Sequence, residues 1–194
     1  KKAKIAWAQN VNRTVSAGSQ ALLDSATQPG ATEGSLVAAG EKLYESQLAL
    51  GVSDKKARTV VDSTMKVAVR QNRVYLFNEA AGINEKRSLI EQYEESPLPG
   101  VSYEANLNFV TAMQGKLDRE IGVAQTETTT DLSAAMEALA LTGEVPAGYQ
   151  FDEAVIASVF PEEQADVLAE TWEGAQEDAA NRGALAYMDG SKIG

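Results

Sequence analysis

Cysteine and histidine are both absent from this chain of 194 residues. Their absence excludes a serine–histidine triad, a thiol nucleophile, a thiolate or imidazole zinc site, and a haem held through those side chains. Disulfides are excluded as well, and a cysteine-free chain fits a reducing or an oxidising compartment equally. Glycines lie singly, with no glycine-lysine-serine/threonine triplet to cradle a phosphate. No run of alternating acidic residues forms a calcium loop. No cofactor is therefore expected. Nor does any window approach the roughly 20 apolar residues that a membrane-spanning helix needs, so no single-helix span is expected. Aromatic residues make up only 6% of the chain and prolines number 5, whereas hydrophobic residues reach 44%. That balance is typical of alanine-rich helical proteins, and the length suffices to bury about 70% of the unfolded surface.

Charge is unevenly distributed. Residues 1–100 carry 13 basic and 11 acidic side chains, a net of +2, whereas residues 101–194 carry 4 and 17, a net of −13. A near-neutral helical subdomain (1–100) and an acidic one (101–194) are expected, with the hinge at Pro97-Leu98-Pro99-Gly100, where the balance changes. An acidic half repels phosphate backbones and disfavours nonspecific duplex binding. The densest basic run is Lys55, Lys56, Arg58, Lys66, Arg70 and Arg73. It lacks interleaved aromatics for stacking on bases and reads as a solvated helix face.

Hydrophobic spacing predicts an all-α fold. Ile5, Ala8, Asn12, Val15, Ser19, Leu22 and Ala26 step by three and four along a first helix over 2–27, ended by Pro29-Gly30. Thr32 or Ser35 caps a second helix with Leu36, Leu43 and Leu50 seven apart, closed by Gly51. Ser53 or Asp54 starts a third over 54–81, and so short a connection makes the pair antiparallel. This third helix carries valines on more than one face, which implies burial on more than one side. Asn84 is expected to cap a short helix holding Leu89, Ile90 and Tyr93. A long helix follows over 103–141, with a break or soft kink expected at Gly122 and the run 126–130. Shorter pieces at 152–159 and 161–188 complete five or six substantial helices, expected as an extended, non-compact bundle of antiparallel hairpins that is oligomeric. Segment 189–194 is expected to be a flexible tail, and Lys1 together with that tail points to a longer parent chain.

Candidates for chemistry are few. Glu45-Ser46 and Glu95-Ser96 are similar to the glutamate–serine pair of lytic transglycosylases, but neither precedes the glycine-leucine-methionine-glutamine segment of that family. No catalytic or metal-binding residue is assigned. Asn72, Tyr75 and Asn78 read as a polar seam that fixes helix register, or as hydrogen-bonding groups for a partner. Trp7 and Trp172 read as packing anchors.

Gly51-Val52-Ser53-Asp54, Ala57-Arg58, the valine-rich stretch to Asn78-Glu79-Ala80-Ala81-Gly82-Ile83, the glutamate-rich lead into the proline-glycine break at 91–100, and the alanine- and glutamate-rich stretch 132–182 resemble the helical regions of internal, or ejection, proteins of short-tailed bacteriophages. The resemblance implies a structural virion component without enzymatic activity, released with the genome and assembling into a helical conduit across the host envelope. It implies a homo-oligomer that meets other virion proteins and passes DNA without specific binding, located in the virion and then in the host periplasm or envelope. Val60, Val67, Val74, Phe77, Leu107, Leu117 and Ile121 are the candidate self-assembly residues. Two alternatives accompany this reading: a helical adaptor or scaffolding module that binds a protein partner, and a carboxylate-dependent peptidoglycan lyase.

Overall fold

The computed structural model describes the backbone of residues 2–190 and the side chains of residues 2–182; the expected tail beyond Gly190 lies outside the described residues. Within them the chain is all-α: α1 (Lys2–Ser25), α2 (Glu33–Ala49), α3 (Asp54–Glu79), α4 (Ile83–Glu95), α5 (Tyr103–Thr142), α6 (Glu153–Val159) and α7 (Glu162–Gly190). All five prolines fall between helices, where a missing N–H and a fixed φ do least harm.

Local chemistry explains the boundaries. Thr32 and Ser35, each a candidate cap for α2, act together: Ser35 N–H donates to Thr32 Oγ1 (3.1 Å) and Thr32 N–H donates to Ser35 Oγ (3.0 Å). The last turn of α2 closes through Gly51 at φ +78°, a conformation that a side chain would strain. Gly51 N–H then reaches Leu48 O and Val52 N–H reaches Gln47 O. Asn84 is not the cap of α4; Gly82 takes that position, and the Glu85 carboxylate accepts from Ala81 N–H at 2.8 Å.

The expected break in α5 is absent, and the helix is continuous for 40 residues, about 60 Å at 1.5 Å per residue. The threonines explain why. The hydroxyls of Thr126, Thr129 and Thr130 each donate to the carbonyl four residues back at 2.8 Å, so they are satisfied by the helix itself and do not pull it apart.

The chain divides into two compact units, Lys1–Gln114 and Gly115–Gly194, and the division falls inside α5 rather than at Pro97–Gly100. The proline-glycine segment is instead pinned within the first unit. Arg73 Nη1 donates to Ser96 O (2.6 Å), Leu98 N–H donates to Asn106 Oδ1 (2.9 Å), and Leu98 and Asn106 are buried.

In the first unit α1, α2 and α3 pack on one another. Side-chain register fixes their directions. Glu33 meets Arg73, a Cβ on Gly40 would meet Met65, and Tyr44 meets Asp54, so α2 and α3 are antiparallel. Trp7 meets Leu50 and a Cβ on Gly18 would meet Leu43, so α1 and α2 are antiparallel as well. The core centres on Leu22, Leu36, Leu43, Val69 and Phe77. The second unit holds its own core of Leu132, Ala135, Leu139, Trp172 and Ala179. Trp172 anchors it, stacked on Phe151 at 5.8 Å and edge-on to Tyr149 at 5.2 Å. Trp7 is half-exposed and acts differently: its indole N–H donates to Leu50 O at 3.1 Å, tying the start of α1 to the end of α2.

Candidate functional site

The candidate surface is built on α3, which the connection through Gly51 turns back along α2. Val60, Val67 and Val74 recur every seven residues, and a helix presents such positions on one side. All three line concavities shared with α1. Val67 and Val74 border an open groove of about 890 Å³ whose opposite wall carries Leu23 and Asp24 of α1. Val60 borders a smaller cavity of about 430 Å³ with Val11 and Val15 of α1. Val67 is 47% exposed, and Val60 and Val74 are half-buried.

The remaining assembly candidates are distributed differently. Phe77 and Leu117 are fully buried within the single chain, and that burial takes both out of any surface available to another copy. On α5, Leu107 is 49% exposed and Ile121 is half-buried. Of the seven residues the structure therefore brings Val67 and Val74 together in one groove, keeps Val60 in a separate cavity, and leaves Leu107 and Ile121 elsewhere.

Charge borders the α1–α3 groove. Lys66 and Arg70 lie on its rim with Asp24 facing them, and Tyr75 and Asn78 line it farther along α3. The third member of that polar trio, Asn72, is buried. Its Nδ2 donates to Ala26 O (2.9 Å) and Ala31 O (3.3 Å), which ties the α1–α2 connection to α3. Asn72 thus fixes register, whereas Tyr75 and Asn78 face the groove.

The basic run is not one solvated face. Lys55, Lys56, Arg58 and Arg70 are exposed, but Arg73 is buried because neighbours meet its hydrogen-bonding and electrostatic needs. Its Nε pairs with Glu33 Oε1 at 2.6 Å, its Nη1 donates to Ser96 O, and its guanidinium lies 4.9 Å from the centre of the Tyr93 ring. Tyr93 in turn donates from its hydroxyl to Arg73 O at 3.0 Å, and burial pushes its pKa up to about 12. This clamp joins α2, α3, α4 and the proline segment that follows. No spacing rule connects Glu33 to a residue forty positions on, so the clamp was not visible in the sequence.

At the other end of α3 the Tyr44 hydroxyl donates to the Asp54 carboxylate, and Arg58 Nε pairs with Asp54 Oδ2 at 3.0 Å. The Tyr44 bond holds the Asp54 carboxyl below its ordinary range and raises the phenol in return. Glu45 and Glu95, the glutamates of the two glutamate–serine pairs, are exposed on α2 and at the end of α4. Among the described residues no group of three carboxylates is placed to hold a metal ion, and no helix is long and apolar enough to cross a membrane.

Sequence reasoning also missed Gln47. Leu36, Gly40, Leu43 and Gln47 step by four, three and four along the buried stripe of α2, and that spacing was the available signal. Gln47 is fully buried, and neither its Oε1 nor its Nε2 makes a hydrogen bond within the chain.

No protein-family model, curated protein or solved structure matches the chain.

Proposed function

We propose that this chain is a structural component of a tailed-phage virion, an internal protein of the ejection class whose copies assemble into a helical conduit for genome delivery across the host envelope. The supporting observation is apolar side-chain surface that the folded chain keeps in water. Val67 in the α1–α3 groove, Leu107, Val123 and Leu141 on α5, and Val167 on α7 are each exposed by two fifths or more. Single exposed apolar residues are ordinary, but a valine in a groove already walled by Leu23 and Val74 offers contiguous surface to another helix.

Helical composition and charge fit the same reading. Long helices give lateral assembly an extended seam, and an acidic segment that repels phosphate lets DNA pass without being trapped. In this reading the copies are located in the virion and then in the host periplasm or envelope, contact other virion proteins, and perform no catalysis.

A second reading, a helical adaptor that binds one protein partner through α3, is favoured by one observation: most of the groove lining comes from α3. Negative-stain imaging of the purified chain, combined with cross-linking, separates the two. Rings or tubes of defined symmetry with self-contacts at Val67 and Val74 support the ejection reading. A chain that never contacts itself and links to a single heterologous partner supports the adaptor.

A further inference from the structure

We propose that the α1–α3 groove of one copy receives α7 of a second copy, with Lys66 and Arg70 pairing to Asp166 and Glu170 and the valines Val67 and Val167 packed beside them. This inference rests on the assembly reading and names the surface of the second copy that the groove takes.

Spacing and sign carry the argument. On α3 a cation (Lys66), a valine at the next position (Val67) and a second cation four residues after the first (Arg70) border the groove. On α7 a carboxylate (Asp166), a valine at the next position (Val167) and a second carboxylate four residues after the first (Glu170) repeat that order with the sign reversed. Residues four apart share one side of a helix about one turn from each other, so the two cations match the two carboxylates in separation whichever way the helices run. Val67 is 47% exposed and Val167 59%, which leaves apolar surface beside both charge pairs. Arg70, Asp166 and Glu170 are exposed and Lys66 is half-buried, and among the described residues no ion pair engages any of the four. Asp24, on the α1 wall, already accepts a bond from Gln20 Nε2 at 2.7 Å.

The groove has the extent that a helix needs. Its α3 lining runs from Lys66 to Asn78, roughly 18 Å at 1.5 Å per residue, so it offers side chains over about three turns. Net charge favours the same partner. The first unit carries +1 and the second −12, so two second units repel each other while the groove cations attract the acidic helix.

Because groove and α7 are different surfaces, their pairing is head-to-tail. A copy whose groove is filled still offers its own α7 to the next, and the series closes into a ring or continues as a tube. A groove-to-groove contact would stop at a dimer.

The test exchanges the charges in the full chain and reads association by sedimentation velocity, with circular dichroism as the check on folding. Lys66→Glu with Arg70→Glu reverses the groove; Asp166→Lys with Glu170→Lys reverses α7. Each double variant alone should associate at least ~10-fold more weakly than the parent chain. Arg70→Glu by itself, at an exposed position, should weaken association in the same direction. An equimolar mixture of the two double variants should recover assembly, and so should one chain carrying all four substitutions, because every interface then again joins opposite charges. An α7 reversal that associates like the parent, or a mixture and a fourfold variant that stay dissociated while folded, would overturn the proposal. Assembly that Val67→Glu disrupts and the α7 reversal leaves intact would overturn the α7 pairing alone. A parent chain that is monomeric at every concentration would overturn the assembly reading with it.

Discussion

Arg73 illustrates how burial, not charge count, sets the energetics of individual residues. Its side chain is 2% exposed while the Glu33 side chain opposite is 43% exposed, so the two partners are not interchangeable in a deletion experiment. Removing Glu33 strands a buried cation; removing Arg73 leaves a carboxylate that water can reach. Glu33→Ala is therefore expected to destabilise the chain by about 3 kcal/mol in urea denaturation, the scale of a buried pair broken on one side. Tyr93, packed against the same guanidinium, makes a pH-dependent contribution. Its pKa rises in the folded state to about 12, so the neutral phenol is the form that the fold favours. The corresponding stability is complete below the unfolded value near 10 and declines as pH rises towards 12. Urea melts between pH 8 and 12 should show this alkaline loss, reduced in Tyr93→Phe, which costs about 1 kcal/mol at neutral pH through the missing bond to Arg73 O. The sequence placed Arg73 in a solvated run because periodicity reports which side of a helix is apolar, and says nothing of a carboxylate brought in by another helix.

At the scale of elements, periodicity and punctuation carried most of the information. Prolines and Gly51 marked the ends and Thr32 and Ser35 marked the start of α2, whereas the valines of α3, spread over more than one face, did not single out the side that lines cavities shared with α1. Two features were misread for a common reason: polar side chains can turn inwards to their own backbone. The threonines of α5 bond to carbonyls four residues back and do not break the helix, and Glu85 rather than Asn84 serves the start of α4. The glycines separate into classes that sequence does not distinguish. A Cβ on Gly122 would meet nothing within 4 Å, whereas one on Gly18 would lie 2.6 Å from Leu43 Cδ1. Gly122→Ala should raise stability by about 0.5–1 kcal/mol through helix propensity alone. Gly18→Ala should forfeit that gain and lower stability by about 1 kcal/mol as Leu43 leaves its rotamer, a difference that thermal melts of the two variants will resolve.

For the whole chain, the sequence revealed the helical class and a change in charge along the chain, but the boundary between compact units was hidden. Pro97–Gly100 carries every local sign of a hinge, yet Ser96 and Leu98 are held by Arg73 and Asn106, and the chain divides within α5 between Gln114 and Gly115. These contacts, one reaching 23 residues back to α3 and one 8 residues on into α5, override local turn chemistry, and composition does not record them. The assembly candidates divide by the same principle: Phe77 and Leu117 are used up inside the chain, whereas Val67 and Leu107 keep apolar surface in water. Sedimentation velocity over a wide concentration range, comparing the parent chain with Val67→Glu, reads self-association through the α1–α3 groove. Glutamate favours helix, so the folded protomer should be retained while a charge enters the groove. A discrete higher-order species is expected in the parent chain and an association weakened at least ~10-fold in the variant, with unchanged circular dichroism. A parent chain that sediments as a monomer at every concentration and salt, or an assembly indifferent to Val67→Glu, would contradict assembly through this groove.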